Sequence, residues 1–312
     1  MTNTTKSADS HKTGLVALGC LLLGGALLGL STNLAKLAGE VQLSPLAFLY
    51  WSISGATVML LSLAGLRRKW PPMTRRTLEY YLVSALVGVA GSNLIFFSAV
   101  PHVGAGFVAL IISLPPLFTY IGALALGLER FRMTRAAGVA AALLGAGVLA
   151  TNKLAAPDAD VFWVLLALAG PVLLAIGNLY RTLRWPTGVS ADALAPGMLL
   201  AAAIMLLTAG LIPGFSLAVP GGQPVALWLI GAQSLVFSGQ FLLLFILQKT
   251  GGPVMLSLLG AVGALVAVPV AVFLQGEAPP PGLFVGALLI GLGVALVTLG
   301  RAKTTDAHQR AR

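Results

Sequence analysis

Two four-residue stretches hold the side chains best suited to handle a polar solute: Asn33-Leu34-Ala35-Lys36 and Asn178-Leu179-Tyr180-Arg181. Both read Asn-Leu-X-Lys/Arg, both close a long apolar run, and they lie 145 residues apart. An amide one turn before a cation can donate and accept hydrogen bonds, so the chemistry it offers is recognition rather than bond breaking. Further polar side chains interrupt the apolar runs at Asn93, Ser113, Gln233, Gln240 and Ser257. An unsatisfied amide in hydrocarbon is costly, so these groups must face protein or water. Gln233, Phe237 and Gln240 share one helical face. Asn33, Asn178, Asn93, Gln240, Gln233, Ser113, Ser257 and Phe237 are therefore the candidate substrate pathway. For a single serine, an interhelical hydrogen bond is the simpler reading; the amides gain weight because they recur at matched positions. Phe97, Phe107 and Phe241 could also face a cavity, with core packing the simpler role for each.

Signals for other chemistry are missing from the sequence. No G-x-x-x-x-G-K-[ST] loop occurs, and His11, His102 and His308 are too dispersed for a metal cluster. No cofactor, metal or catalytic group is expected, and Cys20, the single cysteine, permits no intrachain disulfide. The acidic residues Asp9, Glu40, Glu79, Glu129, Asp158, Asp160, Asp192, Glu277 and Asp306 all fall in loops or at the ends of apolar runs. Intramembrane carboxylates mark many proton and ion relays, so the expected passage is electrically neutral and suits an uncharged or zwitterionic solute. Pro115, Pro116 and Pro269 interrupt apolar runs and are candidate kinks or hinges.

The elements that must position these residues follow from composition. Of 312 residues, 58% are hydrophobic and 9% charged, and the mean hydropathy is +0.95. A soluble domain carries about 25% charge, so this chain is read as an integral membrane protein. Its net charge of +10 sets topology rather than binding nucleic acid. A span needs about 20 apolar residues, and ten segments qualify, approximately 14–37, 45–66, 78–98, 104–127, 134–151, 161–182, 191–212, 225–247, 252–275 and 282–300. With the N-terminus in the cytoplasm, every one of the 19 basic residues except Lys36 and Lys153 falls on the inner side. The predicted fold is all-α, with ten transmembrane helices and both termini cytoplasmic. Residues 1–13 form a disordered tail and 301–312 a basic tail. No cleavage site follows the first run, which is read as an uncleaved span.

The second motif is part of a wider repeat. Gly91-Ser92-Asn93 answers Ser238-Gly239-Gln240, His102-Val103-Gly104 answers Lys249-Thr250-Gly251, Glu129 answers Glu277, and Gly145-x-Gly147 answers Gly291-x-Gly293, with offsets between 146 and 148. The halves, 14–151 and 161–300, each hold an odd number of spans and so insert in opposite senses. Inverted repeats of this kind belong to transporters that alternate access. The fifth and tenth segments lack polar side chains in mid-span and are placed outside the pathway, as scaffold or oligomer contacts.

Ser31-Thr32-Asn33 and Lys36, the Ser44-Pro45 pair, Gly104 with Ser113 and Pro115-Pro116, and the acid-then-glycine pattern of both halves together resemble the ten-helix, two-repeat branch of the drug/metabolite transporter superfamily. The resemblance spans about residues 14–300. It implies a central cavity built from the first to fourth and sixth to ninth helices. It also implies export of small organic metabolites across a bacterial inner membrane, most closely as in aromatic amino-acid exporters. The residues it carries over are Asn33, Lys36, Ser113, Pro115 and Pro116. Where the family commonly has an arginine early in the second helix, this chain has Tyr50-Trp51. Rival readings are a multidrug exporter, which predicts a carboxylate inside the membrane, and a membrane-embedded enzyme or receptor, which predicts a catalytic cluster or a folded extramembrane domain.

Overall fold

The structure is a computed structural model that describes residues 2–127, 130–154, 160–219, 221, 224–250, 256, 258–279 and 282–310. Side chains are described within 15–296, residues 153 and 154 aside. The described residues contain helices and turns and no strand. In chain order the helices are α1 Thr2–Glu40, α2 Pro45–Leu66, α3 Arg75–Ala85, α4 Gly91–Val103, α5 Ala105–Ile111 and α6 Pro115–Ala125. They continue with α7 Met133–Leu154, α8 Val161–Leu183, α9 Ala191–Gly210, α10 Pro224–Thr250, α11 Leu259–Pro269 and α12 Leu283–Arg310. One π-helical turn, Leu86–Ala90, joins α3 to α4, and a second, Val270–Leu274, follows α11.

Eight helical segments are long and apolar enough to cross a membrane, and Leu259–Leu274 and Leu283–Leu296 are shorter apolar helices. Large apolar side chains face outward all round, among them Phe284, Phe273 and Trp228. Such a surface is incompatible with water and fits a lipid solvent. The helix starts carry ordinary local signals. Ser44 caps α2, its hydroxyl accepting from the Ala47 N–H at 3.1 Å, with Pro45 in the first turn. Thr74 and Thr77 form a reciprocal cap on α3. Helix α1 starts at Thr2, so the backbone is helical through most of the residues read from sequence as a tail; no glycine or proline lies between Thr2 and Thr13 to stop it.

The fourth apolar segment differs most from a plain span. It is two helices, α5 and α6, separated at residues 112–114. Pro115 and Pro116 occupy the first turn of α6, where the missing N–H groups cost no helical bond. The prolines therefore start a new helix rather than bend an old one. Pro269 ends α11 and is followed by the π-helical turn.

Helices α2 and α9 pack antiparallel and are tied at both ends. At one end Ser44 Oγ donates to the Ser216 carbonyl at 3.1 Å and Trp51 Nε1 to the Leu217 carbonyl at 2.9 Å. At the other, Lys69 Nζ sits 2.9 Å from Asp192 Oδ2. The first end also holds the last turn of α1, which stops at Glu40, five residues before Pro45. Glycines set the closest helix contacts. A Cβ on Gly25 would strike Val262, and one on Gly29 would strike the Gly263 carbonyl, so α1 and α11 cross backbone to backbone. Gly145 against Gly286, and Gly293 against Gly138, do the same for α7 and α12.

Candidate functional site: a cavity beside a buried arginine

The π-helical turn between α3 and α4 places one extra residue in a helical turn, and Gly88 lies in it. Opposite stands Gly177 of α8, where a Cβ would come within 3.2 Å of Gly88 Cα. With no side chain on either glycine, the two backbones meet. Arg181, one turn beyond Gly177, lays its guanidinium over Gly88; a Cβ on Gly88 would overlap Nη1. Arg181 is 1% exposed. Its Nη2 donates to Asn178 Oδ1 at 2.6 Å, whereas Nε and Nη1 have no acceptor. Among the described residues no salt bridge reaches it.

Arg181 borders a cavity of about 70 Å³. Its polar edge comes from Ser31 and Thr32 of α1, Asn93 of α4, Asn178 and Arg181 of α8, and Gln240 of α10. Phe96, Phe97, Phe241, Leu28 and Leu244 form apolar wall, Pro115 also lines the cavity, and Gly260 packs on the backbone of Ile112 and Ser113 at the break of the fourth segment. Asn93 Nδ2 donates within its own helix to the Val89 carbonyl at 2.8 Å. Gln240 is buried and its Oε1 has no donor.

Of the candidate pathway residues, the structure brings together Asn93, Asn178 and Gln240, with the candidate hinge Pro115 beside them. Asn33 is buried in a lock between α1 and α11, donating to the Gly29 carbonyl at 3.0 Å and the Ala267 carbonyl at 3.2 Å. Gln233 donates to Ser31 Oγ at 2.6 Å, holding α10 to α1 behind the cavity wall. Phe237 is fully buried and stacks on Phe97, with ring centres 6.0 Å apart, supporting the wall from behind. Ser113 donates to the Leu110 carbonyl at 2.6 Å and borders a separate apolar cleft, together with Pro269. Pro116 is buried in the first turn of α6. Ser257 lies outside the described residues.

The sequence places Arg181 at the end of the sixth apolar run, among the inner-side cations and in a motif suited to a polar solute, and it predicts an electrically neutral passage. The side chain instead folds back from the end of α8 into the protein and charges the cavity edge. The motif named it, but its position at the end of an apolar run disguised where it points. Glu277 lies in the loop after the second π-helical turn, as its place at the end of an apolar run predicts, but its side chain is engaged. Its carboxylate accepts from the Ala105 N–H at 3.1 Å and the Gly106 N–H at 3.3 Å, capping α5 after the left-handed turn at Gly104 (φ 90°), and it lies 3.6 Å from Lys36 Nζ. Gln275 Nε2 adds a bond to the Asn33 carbonyl at 3.1 Å. Its repeat partner, Glu129, lies outside the described residues. The only sequence signal for Glu277 was its place in that repeat.

No curated protein sequence matches the chain. Among solved structures, one described as "Crystal structure of protein" aligns over 92% of this chain and 98% of its own, with a TM-score of 0.61 and 20% identity. At that identity the likeness concerns the fold alone. Residues 15–151 match the family model of the EamA-like transporter family, within the superfamily that the sequence resembles. With its long apolar helices, the chain is a multi-pass membrane protein whose first half is similar to the EamA-like transporters.

Proposed function

We propose that the protein is a secondary transporter that exports small organic metabolites, amino acids foremost, across a bacterial inner membrane. In this reading ten spans form two inverted five-helix halves, 14–151 and 161–300, with both termini cytoplasmic, and the halves rock about a central cavity. The observation that carries it is the make-up of that cavity. Ser31, Thr32 and Asn93 come from the first half, and Asn178, Arg181 and Gln240 from the second. A pocket whose polar edge is drawn from both halves of an apolar bundle suits alternating access.

The tie of Lys36, Asn33, Gln275 and Glu277 supports a seal at one end. It joins α1 and α5 of the first half to the segment after α11 in the second. Opening that end means breaking these bonds, and the turn at Gly104 and the π-helical turn after Pro269 are the backbone irregularities beside them. Helices α7 and α12, which contribute nothing to the cavity lining, serve as scaffold.

The test is counterflow of labelled amino acids in proteoliposomes, with and without a pH gradient. Saturable exchange that ignores the gradient identifies a facilitator, and stimulation by the gradient identifies proton coupling. Absence of saturable exchange for any neutral amino acid rules out the amino-acid reading.

A further inference from the structure

Among the described residues, most donors of the Arg181 guanidinium have no acceptor. The side chain is almost fully buried. Asn178 satisfies Nη2, but Nε and Nη1 carry three N–H groups without an acceptor. None of the residues that line the adjoining cavity is acidic. A cation buried this way is unfavourable unless something else brings negative charge to it. Yet the fold keeps room for it: Gly88 leaves out the Cβ that would strike Nη1, and Gly177 leaves out the one that would hold the two backbones apart. On the same cavity, Gln240 presents an Oε1 with no donor.

The geometry points to Arg181 as the anchor for the carboxylate of a small organic substrate, whose apolar body lies against Phe96, Phe97 and Phe241. This rests on the transport reading and names the recognition group at its site. A carboxylate oxygen accepting from Nε–H or Nη1–H makes a charge-assisted bond away from water, where such bonds are strongest. In an amino acid, the ammonium group donates to Gln240 Oε1. A solute with a positive charge and no carboxylate meets a desolvated guanidinium with nothing to offset it, so the site selects against cations.

Calorimetric titration of the purified protein in lipid nanodiscs tests this with L-phenylalanine, 3-phenylpropanoate and L-phenylalaninamide. The three share a ring and differ in carboxylate and ammonium. Both carboxylates are expected to bind and the amide to bind at least about tenfold more weakly, the scale of leaving a buried charge unpaired. Arg181→Gln lowers affinity for both carboxylates by at least about tenfold, and Arg181→Lys falls between. Gln240→Leu weakens phenylalanine and leaves phenylpropanoate unchanged. The proposal is overturned if the amide binds as tightly as the acids, if neither acid binds the unaltered protein, or if Arg181→Gln binds both as well as the unaltered protein. Should Arg181→Gln not fold, Gly88→Ala, whose Cβ strikes the guanidinium at Nη1 and moves it, must weaken carboxylate binding; unchanged binding overturns the proposal equally. Binding needs no translocation. Absent counterflow with intact carboxylate binding removes the transport reading alone, and counterflow that survives with binding indifferent to Arg181 removes the anchor alone.

Discussion

The two Asn-Leu-X-Lys/Arg stretches are nearly the same words put to opposite uses. In the first, Asn33 donates to the carbonyls of Gly29 and Ala267, and Lys36 faces Glu277 at 3.6 Å. That amide and that cation both bind protein across a helix contact. In the second, Asn178 turns its oxygen to Arg181, and two guanidinium nitrogens are left open beside a cavity. The difference lies in the neighbours. Helix α11 crosses α1 at glycine distance and supplies a carbonyl to Asn33, whereas α8 meets a π-helical turn at Gly88 and has room for a side chain but no acceptor. One motif is saturated by protein contacts, and the other leaves guanidinium donors unsatisfied beside a cavity.

The comparison can be broken hardest at the crossing of α1 and α11. Gly29→Leu drives a side chain into the Gly263 carbonyl and the Ala267 N–H. Backbone cannot yield there, so a loss of about 3 kcal/mol or more is expected in chemical denaturation in detergent. Glu277→Ala removes the cap of α5 and the partner of Lys36. It should cost about 1–2 kcal/mol and make a cysteine placed at position 37, with Lys36 kept, label faster from its side of the membrane. Unchanged labelling would separate the tie from any gating role.

Gly88→Ala sharpens the comparison from the other side. The atom it strikes is the tip of a long side chain, so stability should change by less than about 1 kcal/mol while Arg181 is displaced. Melting temperature and carboxylate affinity, measured on one sample, separate the two effects. The smallest effect is expected from Lys69→Ala. Its ion pair with Asp192 is half exposed on the lysine side, and such pairs contribute about 0.2–1 kcal/mol. A larger loss would mean that this end, too, is a seal.

Much of the fold was legible because apolar length is a blunt and reliable constraint. The runs ending at Leu66 and beginning at Val161 become helices close to where the sequence ends and begins them. Capping residues such as Ser44 mark the starts through local bonds alone. The site was half legible. Asn93, Asn178 and Gln240 stand out because an amide in an apolar run must be satisfied somewhere, but Asn33 carries the same signal and sits in a helix contact instead. Ser113 and Phe237 fit the same pattern and yet sit beside the cleft or behind the wall, because helical spacing fixes a face but not what packs on that face.

By itself the sequence determined that the chain lives in lipid, that its segments are helical and that its two halves carry matching polar residues. These follow from hydrophobic length and from the cost of bare polar groups in hydrocarbon, both of which act residue by residue. Only the tertiary structure decided that Lys36 is neutralised and Arg181 is not. That outcome depends on Glu277, distant in sequence, reaching one cation, and on Gly88 and Gly177 bringing two backbones together beneath the other. Charge at the end of an apolar run looks the same in either case until the neighbouring helices are in place.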